Sequence, residues 1–211
     1  MTKRSATARQ TRVYAHAADR LADQLRSEIA TVPAMPNGRP VLVVIMGFPG
    51  VGKSHVARRL CAEIGAAHVA SDELRSRLFI AASYGDEENQ AVFAAAAALV
   101  DSLLAGGHRV VLDATNLRSR NRERAVSVAR ARGVPIVHVF VDAPDAEARV
   151  RLAARRTARA PDDHSDADER IYDRMRADGF EPPADGCLTI TNGPSLQTEI
   201  GAVVAEIERT R

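Results

Sequence analysis

Along residues 41–210 the apolar positions switch between two kinds of pattern. VLVVIM (41–46) is an unbroken apolar run, the form expected of a central strand buried on both faces of a parallel sheet. Directly after it Val56, Leu60 and Ile64 recur at helical spacing, and Gly65 supplies a C-terminal cap. AHVAS (67–71), RVVLD (109–113), IVHVFV (136–141) and LTIT (188–191) are four further strand candidates. Helices fill the gaps. AVFAAAAALV reads as a buried or half-buried helix, and another helix ends at Gly133 ahead of Pro135. A third opens at Asp142 with Pro144 in its first turn. Ser165-Asp-Ala-Asp168 has capping-box spacing and starts a helix carrying Ile171, Tyr172 and Met175, closed by Asp178-Gly179. The last runs from Ser195 with Leu196, Ile200, Val203, Val204 and Ile207 on one face. Repeated strand–helix units of this size predict an α/β fold, a parallel sheet covered by helices on both faces.

Upstream, Val13, Ala17, Leu21, Leu25 and Ile29 recur every four residues and draw one apolar stripe on an N-terminal helix. That stripe packs on its own domain or meets a partner. TVPAMPNGRP (31–40), with three prolines and a glycine, reads as a linker. The division expected is an N-terminal helical extension and linker over 1–38, and a single domain over 39–211.

Composition narrows the setting. No run approaches the ~20 apolar residues that a membrane span needs. Cys61 and Cys187 are the only cysteines, too few for a disulfide framework or a cysteine metal site, and a reducing, cytoplasmic setting is the default. The six histidines show no zinc spacing. A net charge of +2 says little about partners, but only Lys3 and Lys53 are lysines among 29 basic residues. Lysine has been replaced almost everywhere except where a compact, flexible ammonium is chemically required.

That place is a phosphate-binding loop. Gly47-Phe-Pro-Gly-Val-Gly-Lys-Ser54 fits G-x-x-x-x-G-K-[ST], follows a strand and opens a helix. Gly47, Gly50 and Gly52 let the backbone bend so that the N–H groups available in the loop converge on phosphate oxygens, and Pro49 and Val51 complete the loop that binds them. Lys53 reaches the β- and γ-phosphates of a nucleoside triphosphate, and the Ser54 hydroxyl holds Mg²⁺. His55, directly after the loop, is expected to pack near the nucleotide base. Asp113 ends the third strand and suits Mg²⁺ or its water shell.

Asp72, in Ala-Ser-Asp-Glu-Leu-Arg, lies at the end of the second strand, where a doubly wound sheet borders its ligand crevice. It takes a proton from an attacking hydroxyl or caps the following helix; local sequence does not separate the two. Arg118, Arg120, Arg122 and Arg124 fall into two helical pairs, one suited to the crevice and one to solvent. Arg149, Arg151, Arg155, Arg156 and Arg159 precede a polar loop that can close over a nucleotide. Arg155, with Arg156 next, sits nearest that loop and is chosen to neutralise charge on the transferring phosphoryl group.

GFPGVGKS, ASDELR, VVLDATN, the arginines of 118–124, ARVRLAARR and SDADERIYDRMRADGFEPP together resemble small P-loop kinases related to polynucleotide 5′-hydroxyl kinases, an AAA-type group. The resemblance covers residues 41 to about 192. It implies a P-loop NTPase three-layer sandwich with sheet order 2-3-1-4-5, Asp72 as the acceptor-side base, Arg155 as the transition-state group, and ATP as the nucleotide. Ser71 stands where polynucleotide kinases place an arginine, and aromatic residues total 4% with no Trp, leaving few platforms for stacking bases. YGDEENQAVF…LLAGGHRVVLDATN is more similar to small bacterial kinases of the same superfamily. The expectation is therefore an ATP- and Mg²⁺-dependent phosphotransferase acting on a small-molecule hydroxyl. The alternatives are a polynucleotide 5′-hydroxyl kinase and a non-catalytic ATP-binding switch.

Overall fold

The structure is a computed structural model that describes residues 38–79, 84–157 and 169–210, without the side chains of residues 155–157. The N-terminal stripe and the capping box at Ser165–Asp168 lie outside the described residues.

Five parallel strands form one sheet: β1 (Leu42–Met46), β2 (Ala67–Ala70), β3 (Val110–Asp113), β4 (Ile136–Asp142) and β5 (Leu188–Thr191), in the order β2-β3-β1-β4-β5. Each of β1's five residues is fully buried, as its unbroken apolar sequence requires of the central strand. Alternate side chains of β1 feed two cores. Leu42, Val44 and Met46 pack with helices α2 (Ser71–Leu78), α3 (Asp86–Ala105) and α4 (Ser119–Ala131). Val43 and Ile45 face α1 (Lys53–Ile64), α5 (Asp145–Thr157), Tyr172 of α6 (Glu169–Asp178), and α7 (Leu196–Arg209). The three-layer α/β sandwich and its strand order are those expected.

Glycine bounds α1 at both ends. Gly52 (φ 92°) is its N-cap, and Gly65 (φ 60°) turns the chain off its C-terminus while donating its N–H to Cys61. The alanine-rich run lies in α3, whose first turn carries Asp86, Glu87 and Glu88 at the positive end of the helix dipole.

Several boundaries move by a residue or more, two of them beside the site. Asp142 is the last residue of β4, paired with Thr191, so α5 begins at Asp145 and not at Asp142. Pro144 disfavours helical geometry in the residue before it, which delays the helix to the far side of the proline. Ser71 belongs to α2, which starts directly where β2 stops. No helix among the described residues is long and apolar enough to cross a membrane.

The register positions the site. Ile45 and Ala70 both lie opposite Asp113, and Met46 lies opposite Phe140. The C-terminal ends of all five strands therefore share one edge, where the chain segments carrying the candidate residues emerge.

Candidate active site

β1 ends at Met46, and the chain then turns through three glycines in conformations that side chains rarely adopt: Gly47 (φ 150°), Gly50 (φ 79°) and Gly52 (φ 92°). Space forbids side chains here as well. A Cβ would lie 2.4 Å from the Val141 carbonyl oxygen at Gly47, 2.6 Å from that of Ala148 at Gly50, and 2.0 Å from Asn192 Nδ2 at Gly52. The loop is pressed against the end of β4, against α5 and against the turn after β5. Its entry is tied to the β3–α4 connection, where Gly47 N–H donates to Thr115 O at 3.1 Å. Pro49 is buried within the loop, and Val51 is 1% exposed. The loop delivers the chain to the N-terminus of α1, whose first turn carries no acid to oppose an anion.

Lys53 folds back over this loop, its Nζ donating to Phe48 O at 3.0 Å. Phe48 is itself wedged between Phe140 and Tyr172, with ring centroids 6.2 and 6.3 Å away. Asp113 lies across from Lys53 and is 4% exposed. Its Oδ2 stands 3.2 Å from Nε2 of the buried His68. Burial works to raise the Asp113 pKa. It is outweighed by the His68 hydrogen bond and charge, by Lys53 and by the Ser54 hydroxyl, which hold the carboxyl below the usual carboxylate range. Ser54 and Asp113 thus meet as two hard oxygen donors, which fits Mg²⁺. That ion needs only one or two protein oxygens when phosphate and water supply the rest. Among the described residues no cluster of three or more His, Cys, Asp or Glu suits a metal. Cys61 beneath this site is no nucleophile, since burial and then Asp113 push its thiol up to about 12.

Asp72 lies in the first turn of α2, half-buried, two residues beyond Ala70, the last residue of β2. The N-cap residue of α2 is Ala70, and Asp72 stands inside the first turn, where a carboxylate also faces the positive end of the helix dipole. What sets α2 in place is Arg75, an arginine the sequence did not single out. Arg75 is 6% exposed and pairs with the buried Glu88 of α3. It also donates to Asn89 Oδ1 at 2.8 Å and lies 4.5 Å over the Tyr84 ring.

The spaced arginines fall into the two pairs expected, with Arg120 and Arg124 the exposed pair, but the other pair has a different role from the one expected. Arg122 is buried and Arg118 half-buried, and both hold the segment after α6 against the β3–α4 connection. Arg122 donates to Asn116 O at 2.9 Å and Glu181 O at 2.7 Å. Arg118 donates to Glu181 Oε1 and Asp178 O, both at 2.7 Å, and Glu181 in turn accepts from Ser119 N–H at the start of α4. Arg120 is exposed, and Arg124 reaches Gln90 O at 3.3 Å.

On α5, Arg155 and Arg156 occupy the last turn, and their side chains lie outside the described residues. The α5 arginine seen against the loop is Arg151, which donates to Val51 O at 3.3 Å and to Glu147 at 2.7 Å. Asn192, after β5, donates to the same Val51 oxygen at 2.9 Å. No sequence signal marked Asn192, because it depends on a long-range approach. His55 is exposed on α1, its pKa lowered by partial burial and then by Arg59, Arg58 and Arg151.

A family model described as an AAA domain (AAA_33) matches residues 42–183, well over half of the chain, and the chain belongs to that family. Solved structures share the fold. Kti12 of Chaetomium thermophilum, in complex with ADP-AlF3, is 21% identical with a TM-score of 0.65 over 80% of this chain and 98% of its own. The Mycobacterium tuberculosis APS kinase CysC, in complex with AMPPNP and APS, is 21% identical with a TM-score of 0.59 over 81% and 98%. A gluconokinase from Sinorhizobium meliloti is 18% identical with a TM-score of 0.59 over 82% and 94%. The fold is that of P-loop kinases.

Proposed function

We propose that the chain is an ATP- and Mg²⁺-dependent phosphotransferase that moves the γ-phosphoryl group to a hydroxyl of a small molecule. The observation that carries this reading is the gathering of the Gly47–Ser54 loop, the Ser54–Asp113 oxygen pair and Asp72 along one edge of the sheet. The loop N–H groups and the α1 N-terminus cradle the phosphates, and Lys53 moves from Phe48 O to the β- and γ-oxygens. Ser54 and Asp113 would hold Mg²⁺ here, and the ion would supply neutralisation of the phosphate charge. The acceptor oxygen attacks the γ-phosphorus, the bond to the β–γ bridging oxygen breaks, and ADP leaves. The hydroxyl proton passes to Asp72. Arg155, with Arg156 beside it, is the proposed lid cation.

Kinases of known fold support this chemistry, and the neighbour Kti12 keeps a non-catalytic nucleotide switch as the rival. A polynucleotide acceptor is less favoured because three arginines around the acceptor side are already engaged: Arg75 by Glu88, Arg77 by Glu73, and Arg118 by Glu181. A nucleic acid site needs cations free to replace counterions.

The test is Asp72→Asn, followed by transfer of labelled γ-phosphate into sugars, nucleosides and a 5′-hydroxyl oligonucleotide. Transfer should fall on the order of 10²–10⁴-fold while ADP affinity holds. Unchanged phosphate release in the variant, or no acceptor labelled by the unmodified protein, would favour the switch. Labelling of the oligonucleotide alone, weakening steeply with salt, would return the polynucleotide reading.

A further inference from the structure

Arg75, Arg118, Arg122, Arg149 and Arg151 have hydrogen-bond and carboxylate partners that account for them, and a different arginine stands over the phosphate-binding loop. Arg176 lies on α6, one helical turn after the buried Tyr172, and lays its guanidinium over the Phe48 ring, 4.7 Å from the centroid. The Tyr172 ring is 6.0 Å away on the same side. The residue is exposed, and among the described residues no carboxylate forms an ion pair with it. Asp145 feels its charge but gives its own oxygens to the Tyr172 hydroxyl at 2.7 Å and to Arg149 at 2.8 Å. Asp173, one turn back on α6, is taken by Arg149 as well.

The place where this cation rests matters. Phe48 is the residue whose carbonyl oxygen receives Lys53 Nζ at 3.0 Å. Two positive groups, an ammonium and a guanidinium, are therefore held on one residue of the loop, with no carboxylate assigned to the second. Lys53 is the group that goes to the β- and γ-phosphates, so Phe48 lies at the γ end of the cradle. A guanidinium stacked on a ring uses its face for the ring and keeps its in-plane N–H fork for an anion. The stack also holds the side chain in place before the anion arrives, which lowers the ordering cost of using it.

We propose that Arg176 is a second charge-stabilising residue for phosphoryl transfer, touching the oxygens of the transferring phosphoryl group from the platform of Phe48. It is distinct from the lid arginines Arg155 and Arg156, and it rests on the phosphotransferase reading. Its part in the reaction is electrostatic. As the acceptor oxygen bonds to phosphorus and the bond to ADP breaks, charge spreads over the three equatorial oxygens, and the fork donates to one or two of them. No proton leaves the guanidinium.

The experiment uses the full chain and needs no knowledge of the acceptor. Affinities for Mg·ADP, and for Mg·ADP with aluminium fluoride as the planar phosphoryl mimic, are measured for the unmodified protein, Arg176→Ala, Arg176→Lys and Phe48→Leu. ATP hydrolysis with water as acceptor is followed in parallel. Arg176→Ala should hold ADP affinity within about threefold while the aluminium fluoride complex and kcat for hydrolysis both weaken on the order of 10²-fold. Arg176→Lys should restore little, because an ammonium neither stacks flat nor donates as a fork. Phe48→Leu keeps an apolar filler but removes the platform, and should lose the same discrimination between ADP and its aluminium fluoride complex. If Arg176→Ala lowers ADP affinity and thermal midpoint together and leaves the ratio of the two affinities unchanged, the guanidinium is structural and the proposal falls. If the unmodified protein binds the aluminium fluoride complex no more tightly than ADP, and Lys53→Ala alters neither affinity, the phosphotransferase reading fails first and takes Arg176 with it.

Discussion

The donor and acceptor sides of this molecule are held in place by different means. On the donor side the Gly47–Ser54 loop is shaped by its own backbone and braced by hydrogen bonds to its carbonyls and by aromatic packing. Three glycines take positive φ, Val51 O accepts from Asn192 and Arg151, and Phe48 sits among aromatic rings. On the acceptor side α2 is held to α3 by a buried ion pair, Arg75 with Glu88, at 6% and 2% exposure. A backbone cradle is specified by local sequence and tolerates little added volume. A buried ion pair is specified by two residues 13 positions apart and fails when either partner is removed.

The largest effect should come from breaking the acceptor side. Glu88→Ala leaves the Arg75 guanidinium buried without its countercharge, and its Nε already lacks a hydrogen-bond partner. The expected loss is about 3–5 kcal/mol. For a chain of this size that is a fall in melting temperature of roughly 10 °C. Calorimetry gives the size of the loss, and ADP titration below the transition tests the comparison. If the two sides are separately built, ADP affinity stays unchanged in the folded variant. A parallel loss of ADP binding would mean that the α2–α3 clasp also shapes the phosphate loop.

Gly50→Ala tests the donor side. The new Cβ would meet the Ala148 carbonyl oxygen at 2.6 Å and Leu152 Cγ at 2.9 Å, in a left-handed conformation. Strain of about 1–2 kcal/mol and a similar overpacking cost should give roughly 2–4 kcal/mol in all. Here stability and ADP affinity should fall together, because the backbone that moves is the backbone that binds. A variant that melts early yet binds ADP normally would show that the loop's N–H groups adjust independently of its support.

How much of this was legible follows the same division. The loop, the five strands and the alternation of helices were readable because each depends on neighbours in sequence: glycines at fixed offsets, an unbroken apolar run, a 3.6-residue period. Lys53, Ser54 and Asp113 were placed near one another for that reason, and the sheet register brings the last of them opposite Ile45. Arg75, Arg176 and Asn192 were passed over as structural or catalytic parts, and Arg151 was named only as one of five arginines before the polar loop. Their meaning comes from contacts across 13 to 141 positions or from an aromatic ring on another element. The arginines at 118 and 122 show the converse. Their spacing was seen, but Glu181, some 60 residues downstream, decides that they serve as a clamp.

The smallest prediction is also the sharpest test of the donor side's bracing. Asn192→Ala removes one hydrogen bond to Val51 O, which Arg151 also reaches, so the cost should be only about 1 kcal/mol. The same amide lies where a Cβ at Gly52 would fall, 2.0 Å away. Gly52→Ala alone must displace the Asn192 side chain and strain a φ of 92°, whereas in the Asn192→Ala background only the strain is left. The two substitutions should therefore couple, with the double variant more stable than the sum of the singles by about 0.5–1 kcal/mol. Chemical denaturation of the four proteins measures that coupling. Strict additivity would mean that the Asn192 side chain swings away from Gly52 at no cost, and that the glycine is required for its dihedral angle alone.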